Sequence, residues 1–100
     1  MNPNEINTAV EALVSKGGYS CKYEGTDNYG VVKSVYLKKI VQMTDDQLYD
    51  ECKDIIWLSA YASNNSRSDY HWKCDACYEE CQRRNKSEIY NRAHTSASSN

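Results

Sequence analysis

Tyr19-Ser20-Cys21-Lys22-Tyr23-Glu24-Gly25-Thr26-Asp27-Asn28-Tyr29-Gly30-Val31-Val32-Lys33-Ser34-Val35-Tyr36-Leu37 is the stretch on which the fold class turns. Its first limb alternates Tyr19, Cys21 and Tyr23 with Ser20, Lys22 and Glu24, the period of a strand with one buried face. Residues 25–30 are crowded with turn formers. Val31 to Leu37 is β-branched and aromatic, so the natural reading is a β-hairpin. Two strands alone are marginal in water and must lie on helices, which predicts an α+β domain. Lys38 to Met43 reads either as a strand extension or as a short helical turn.

Helices are expected on both sides of this segment. Asn2, Pro3 and Glu5 spell an N-cap, a proline at the first helical position and a capping acid. Ile6, Val10, Leu13 and Val14 follow at helical spacing, and Gly17-Gly18 stops the helix. Thr44 and Gln47 form a second capping box, with Asp45 and Asp46 in the first turn where the helix dipole favours them. Leu48, Cys52, Ile55, Ile56 and Ser59 give this helix an apolar stripe running to about Ala62. Ser66 or Ser68 is expected to cap a third long helix carrying Tyr70, Cys74, Cys77, Tyr78 and Cys81 on one face, completing a helical hairpin. A short last helix covers Ser87 to Ala93, with Ile89, Tyr90 and Ala93 inward. Residues 1–94 thus read as one globular domain and residues 95–100 as a flexible polar tail.

The composition narrows the functional classes. Nine Tyr and two Trp stand against no Phe, which suggests aromatics that reach the surface with their polar ends. The formal net charge of -2 disfavours affinity built on neutralising phosphates. No stretch approaches the ~20 apolar residues that span a bilayer. The start Met1-Asn2-Pro3-Asn4-Glu5 lacks the basic and apolar run of a signal peptide, so a cytoplasmic location with reduced thiols is expected. Five cysteines agree, since any disulfide scheme leaves one unpaired.

Cys74, Cys77 and Cys81 form the one segment with a metal-like spacing. Zinc holds its sulfurs at about 2.3 Å, so two sulfurs on one ion are at most about 4.6 Å apart. One continuous helix separates residues 74 and 81 by about 10 Å of rise. Zinc therefore requires a knuckle over residues 74–77, with His71, Cys21, Cys52 or His94 as fourth ligand. Against this stands the simpler expectation of no cofactor, the three thiols being small core residues. A redox pair is disfavoured, because a helical pattern already precedes Cys74 and Pro3 is the sole proline. No phosphate loop or nucleophile motif is present, and an enzyme is not expected.

Charge patterning supplies the candidate binding surfaces. Asp46, Asp50 and Asp54 recur every fourth residue, away from Leu48, Cys52 and Ile55. They form either a solvated face or an acidic ridge that docks on a basic protein surface. Arg83, Arg84, Lys86 and Arg92 make the last helices locally basic and are the candidate phosphate or nucleic-acid patch. Tyr29, at the tip of the expected hairpin, is a candidate anchor in a partner pocket. An exposed hairpin edge leaves both monomer and homodimer open.

The run from Ser59-Ala60-Tyr61-Ala62-Ser63-Asn64-Asn65-Ser66-Arg67-Ser68-Asp69-Tyr70 through Cys81-Gln82-Arg83-Arg84 resembles small phage or prophage accessory proteins. That group includes inhibitors of host defence of the anti-CRISPR type. The resemblance implies action in the host cytoplasm by occupying another protein's nucleic-acid-binding surface, and it carries over no functional residue. The expected function is a non-enzymatic interaction protein that binds and modulates or inhibits a partner with a basic surface, a host nuclease or defence protein among them. The alternative is a small zinc-stabilised nucleic-acid-binding module.

Overall fold

The computed structural model describes residues 2–16, 23–65 and 67–98. They form five helices: α1 (Pro3–Lys16), α2 (Lys33–Val41), α3 (Asp45–Tyr61), α4 (His71–Arg83) and α5 (Ser87–Ser98). The fold is α-helical and the expected α+β class is wrong: among the described residues β structure is a single antiparallel bridge, Thr26 to Val32.

The hairpin's second limb is the helix α2. Tyr36, Leu37, Ile40 and Val41 are buried, the i, i+1, i+4, i+5 pattern of one helical face. Val35 lies on the other side and is 59% exposed. The β-branched count of residues 31–37 thus gave way to a spacing that becomes visible only when the ambiguous residues 38–43 are joined to it. The first expected strand falls mostly on residues 17–22, outside the described residues. What remains of the hairpin is a closed loop. Asp27 N–H donates to Val31 O at 2.9 Å and Lys33 N–H to Gly25 O at 3.0 Å. Gly25 (φ 71°) and Gly30 (φ 84°) make its two reversals, a backbone region other L-residues adopt at a cost.

Local end signals work as read at two helices. Glu5 N–H donates to Asn2 Oδ1 at 2.8 Å, opening α1. At α3, Gln47 N–H donates to Thr44 Oγ1 at 3.2 Å while Thr44 N–H donates to Gln47 Oε1 at 2.9 Å, a reciprocal capping box. The other ends differ. The residue preceding α4 is Tyr70, without a side-chain cap, rather than Ser68; Ser66 lies outside the described residues. Helix α4 stops in a Schellman turn: Lys86 N–H reaches Cys81 O and Asn85 N–H reaches Gln82 O, each at 2.9 Å, with Asn85 at φ 58°. Helix α5 passes its expected end at Ala93 and continues to Ser98, with Ala97 buried.

The core lies between α3, α4 and α5, with α1 and α2 closing its other side. Leu48, Cys52, Ile55 and Ile56 of α3 meet Cys74, Cys77 and Cys81 of α4 and Ile89 and Ala93 of α5, while α1 adds Ala9 and Leu13. Each helix is narrow and amphipathic, so one shared core removes all five apolar stripes from water.

Candidate functional site

The basic residues of the α4–α5 turn are engaged inside the fold. Glu80 is fully buried in α4. Arg83 Nε donates to its Oε1 at 2.6 Å and Arg83 Nη2 to its Oε2 at 2.7 Å. Arg84 Nε donates to Oε2 at 2.6 Å. The same Arg84 sends Nη1 to Asp45 Oδ1 at 3.0 Å and Nη2 to the carbonyl of Ile40 at 3.1 Å. It therefore caps the C-terminal end of α2 and binds the first turn of α3 in one reach. Lys86 also pairs with Asp45. Hydrogen bonds from Lys86 and then Arg84 hold the Asp45 carboxyl below its ordinary range. Arg92 lies over the Tyr49 ring at 5.2 Å. These four cations, expected as a phosphate patch, serve a buried carboxylate, a helix end and an aromatic face.

The thiols are buried core groups. Cys74 Sγ faces Ile55 O at 3.6 Å, Cys77 Sγ faces Tyr36 Oη at 3.5 Å, and Cys81 Sγ faces Cys52 Sγ at 4.0 Å. His71 is 85% exposed at the start of α4, beside Asp75. Helix α4 is continuous through Cys74–Cys81, so there is no knuckle. Among the described residues no three His, Cys, Asp or Glu side chains are disposed to hold a metal ion. Cys21 lies outside the described residues. Burial, with the charges of Cys77 and Asp75 nearby, pushes the Cys74 thiol up to about 11, the opposite of an activated nucleophile. Hydrogen bonding to Cys77 and Cys81, with burial, drives the Cys52 thiol upward too.

Tyr29 is held rather than projected. Its ring stacks on Tyr70 at 4.9 Å. Its loop is bolted to the α3–α4 connection: Asn28 N–H donates to Asp69 Oδ2 at 3.0 Å and Asn28 Nδ2 to Arg67 O at 3.2 Å. Asp27 is the pin. Its carboxylate accepts from the N–H groups of Tyr29 (2.8 Å) and Val31 (2.9 Å) and from Trp72 Nε1 (3.2 Å). Burial opposes its charge, but the Val31, Tyr29 and Trp72 hydrogen bonds and Lys73 outweigh it and hold the carboxyl below its ordinary range.

Helix α3 presents the contrasting surface. Asp46, Asp50 and Asp54 are all exposed, and among the described residues none has a side-chain hydrogen bond or ion pair. At 3.6 residues per turn they share about 80° of arc with Trp57 and Tyr61. Those two rings stack at 5.0 Å with planes 11° apart. Trp57 is 44% and Tyr61 75% exposed. A cleft of about 410 Å³ lined by Lys53, Asp54, Trp57, Leu58 and Ala97 opens on one side of Trp57. A second, of about 340 Å³ and including Tyr61 and Ser98, opens beside it.

Trp57 and Tyr61 were missed in the sequence, although the signal was there: they continue the Asp46-Asp50-Asp54 stripe at helical spacing. Glu80 was missed as well, although Arg83 and Arg84 stand at its i+3 and i+4 positions. No helix among the described residues is long and apolar enough to cross a membrane. Comparison of the chain with family models, with curated proteins and with solved structures finds no match.

Proposed function

We propose that this chain is a non-enzymatic interaction protein whose α3 face binds a protein partner with a basic surface and modulates or blocks it. The observation that carries the proposal is the exposure of Asp46, Asp50 and Asp54, whose side chains have no partner among the described residues. Like charges four residues apart cost a helix a few tenths of a kcal/mol per pair, so beyond the first-turn position of Asp46 the ridge does not serve the fold of α3. The basic residues that would support a nucleic-acid module are already bonded within the chain. A partner with a nucleic-acid-binding groove, such as a nuclease or a host-defence protein of the kind the phage resemblance implies, offers the complementary charge. A cytoplasmic setting follows from that reading.

The test is affinity capture from a bacterial lysate with the native chain and with a D46K/D50K/D54K variant. Basic proteins retained by the native chain should be absent from the variant and should elute with rising salt. Retention of the same proteins by both would sink the proposal.

A further inference from the structure

The exposed rings at the end of α3 carry the proposed function one step further. This chain stacks cations on aromatic faces elsewhere: Lys33 and Lys73 over Trp72, Lys73 over Tyr36, and Arg92 over Tyr49. The Trp57–Tyr61 pair has the same chemistry and no cation over it among the described contacts. Indole is the strongest of the aromatic faces for this purpose. The two rings are within 11° of parallel, so they present an extended edge and one open outer face rather than a packed core contact.

The charges around the pair say what would cover it. Asp54 and Asp50 lie about one and two turns before Trp57 on the same arc, with Lys53 the single basic group lining the cleft. A nucleobase could stack on the rings, but its phosphates would meet the carboxylates. An apolar side chain could enter the cleft, but it would leave the acids unpaired. A guanidinium satisfies both: its plane stacks on an aromatic face while its N–H fork bonds a carboxylate. An ammonium also lies over an aromatic face, as Lys33 and Lys73 do, but as a compact point charge it has no planar fork to bond the carboxylate in two places while it does so. The two clefts beside Trp57 leave room for the methylene stem.

We infer that Trp57 and Tyr61, with Asp54, form the anchor site for an arginine side chain of the partner protein, the stacked rings taking the guanidinium face and the Asp54 carboxylate its edge, while Asp50 lies a turn further along the ridge. The inference rests on the proposed ridge function and specifies where its strongest contact falls. Trp, Tyr and Arg are the residues in which interface energy concentrates, so this end of α3 is the anchor and the Asp46 end the steering surface.

The test uses the full chain and three probes: a short helical peptide with arginines one turn apart, its lysine counterpart, and a single-stranded oligonucleotide. A Trp72→Phe background leaves Trp57 as the fluorophore, and circular dichroism checks the helical content of each variant. The arginine peptide should quench Trp57 and bind more tightly than the lysine peptide. In the wild-type chain, by calorimetry, Trp57→Ala and Tyr61→Ala should each weaken it about three- to fivefold, with a flatter effect on the lysine peptide. Tyr61 is largely solvent-exposed, so its variant reports binding free of any folding defect. Equal affinity for the two peptides, or full affinity after both aromatic substitutions, overturns the anchor. If D46K/D50K/D54K still abolishes binding in that case, the ridge stands and the anchor alone has failed. If charge reversal also leaves binding intact, both have failed. Oligonucleotide binding that quenches Trp57 overturns the cation assignment.

Discussion

Two charged regions of this molecule look alike in sequence and are opposite in use. At the α4–α5 turn, Arg83 and Arg84 share the fully buried carboxylate of Glu80, and Arg84 and Lys86 share that of Asp45. On α3, Asp46, Asp50 and Asp54 face solvent with no such convergence. The first region joins three helices: Arg84 alone touches α2 through Ile40 O, α3 through Asp45 and α4 through Glu80. The second joins nothing among the described residues. Charge that is desolvated and paired is part of the fold, whereas charge left in water at a small cost to its own helix is available to a partner.

The sharpest way to break this comparison is to remove the buried carboxylate. Glu80→Ala leaves two partly buried guanidiniums facing each other without their shared acceptor, and should cost about 3–5 kcal/mol in urea unfolding. A loss below about 1 kcal/mol would mean that the hub is no more structural than the ridge.

Asp27 belongs to the same buried class, and pH reads it. Its carboxyl is depressed in the folded chain, as is that of Asp45. Both therefore contribute stability that is complete above the unfolded value of about 3.9, and that is lost as pH falls through the folded values. The urea midpoint should drop on acidification below about pH 4. Asp27→Ala should cost about 1–3 kcal/mol near neutrality, since it orphans the Trp72 indole and two backbone N–H groups. It should also show a shallower acid dependence than the native chain. An identical acid slope would place the titrating groups elsewhere.

The Thr44–Gln47 box lies at the seam between the two regions, since it starts α3 and so presents Asp45 to Arg84. Thr44→Ala should cost about 1 kcal/mol by thermal unfolding. At the far end of the scale, Asp50→Asn with Asp54→Asn should leave stability unchanged or raise it by a few tenths of a kcal/mol. A clear loss of stability in that double variant would show that the ridge has an internal role.

How far these regions could be read in advance depended on how local their physics is. Capping chemistry spans three residues, so Asn2–Glu5 and Thr44–Gln47 announced α1 and α3 correctly. The ridge was equally visible, because a helix repeats every 3.6 residues and α3 was known to be helical. Helix α2 failed because residues 31–37 were read by β-propensity, a weak preference that packing overrides. Its helical spacing needed Ile40 and Val41 alongside Tyr36 and Leu37. The partners of the basic cluster were not legible for another reason: its charges were local, but Asp45 and the Ile40 carbonyl approach Arg84 only after α2, α3 and α4 have packed. The seat of Tyr29 was hidden in the same way, because its stacking partner Tyr70 is distant in sequence.

The central claim is that α3 is the side of the molecule that meets another protein. Hydroxyl-radical footprinting of the chain, alone and with the partner retained in the capture experiment, addresses it directly through side chains. The account predicts that oxidation of Trp57 and Tyr61 falls on binding, while Tyr29 and Tyr78, exposed on other elements, react as before. Protection of Tyr29 or Tyr78 with Trp57 and Tyr61 unchanged would contradict it.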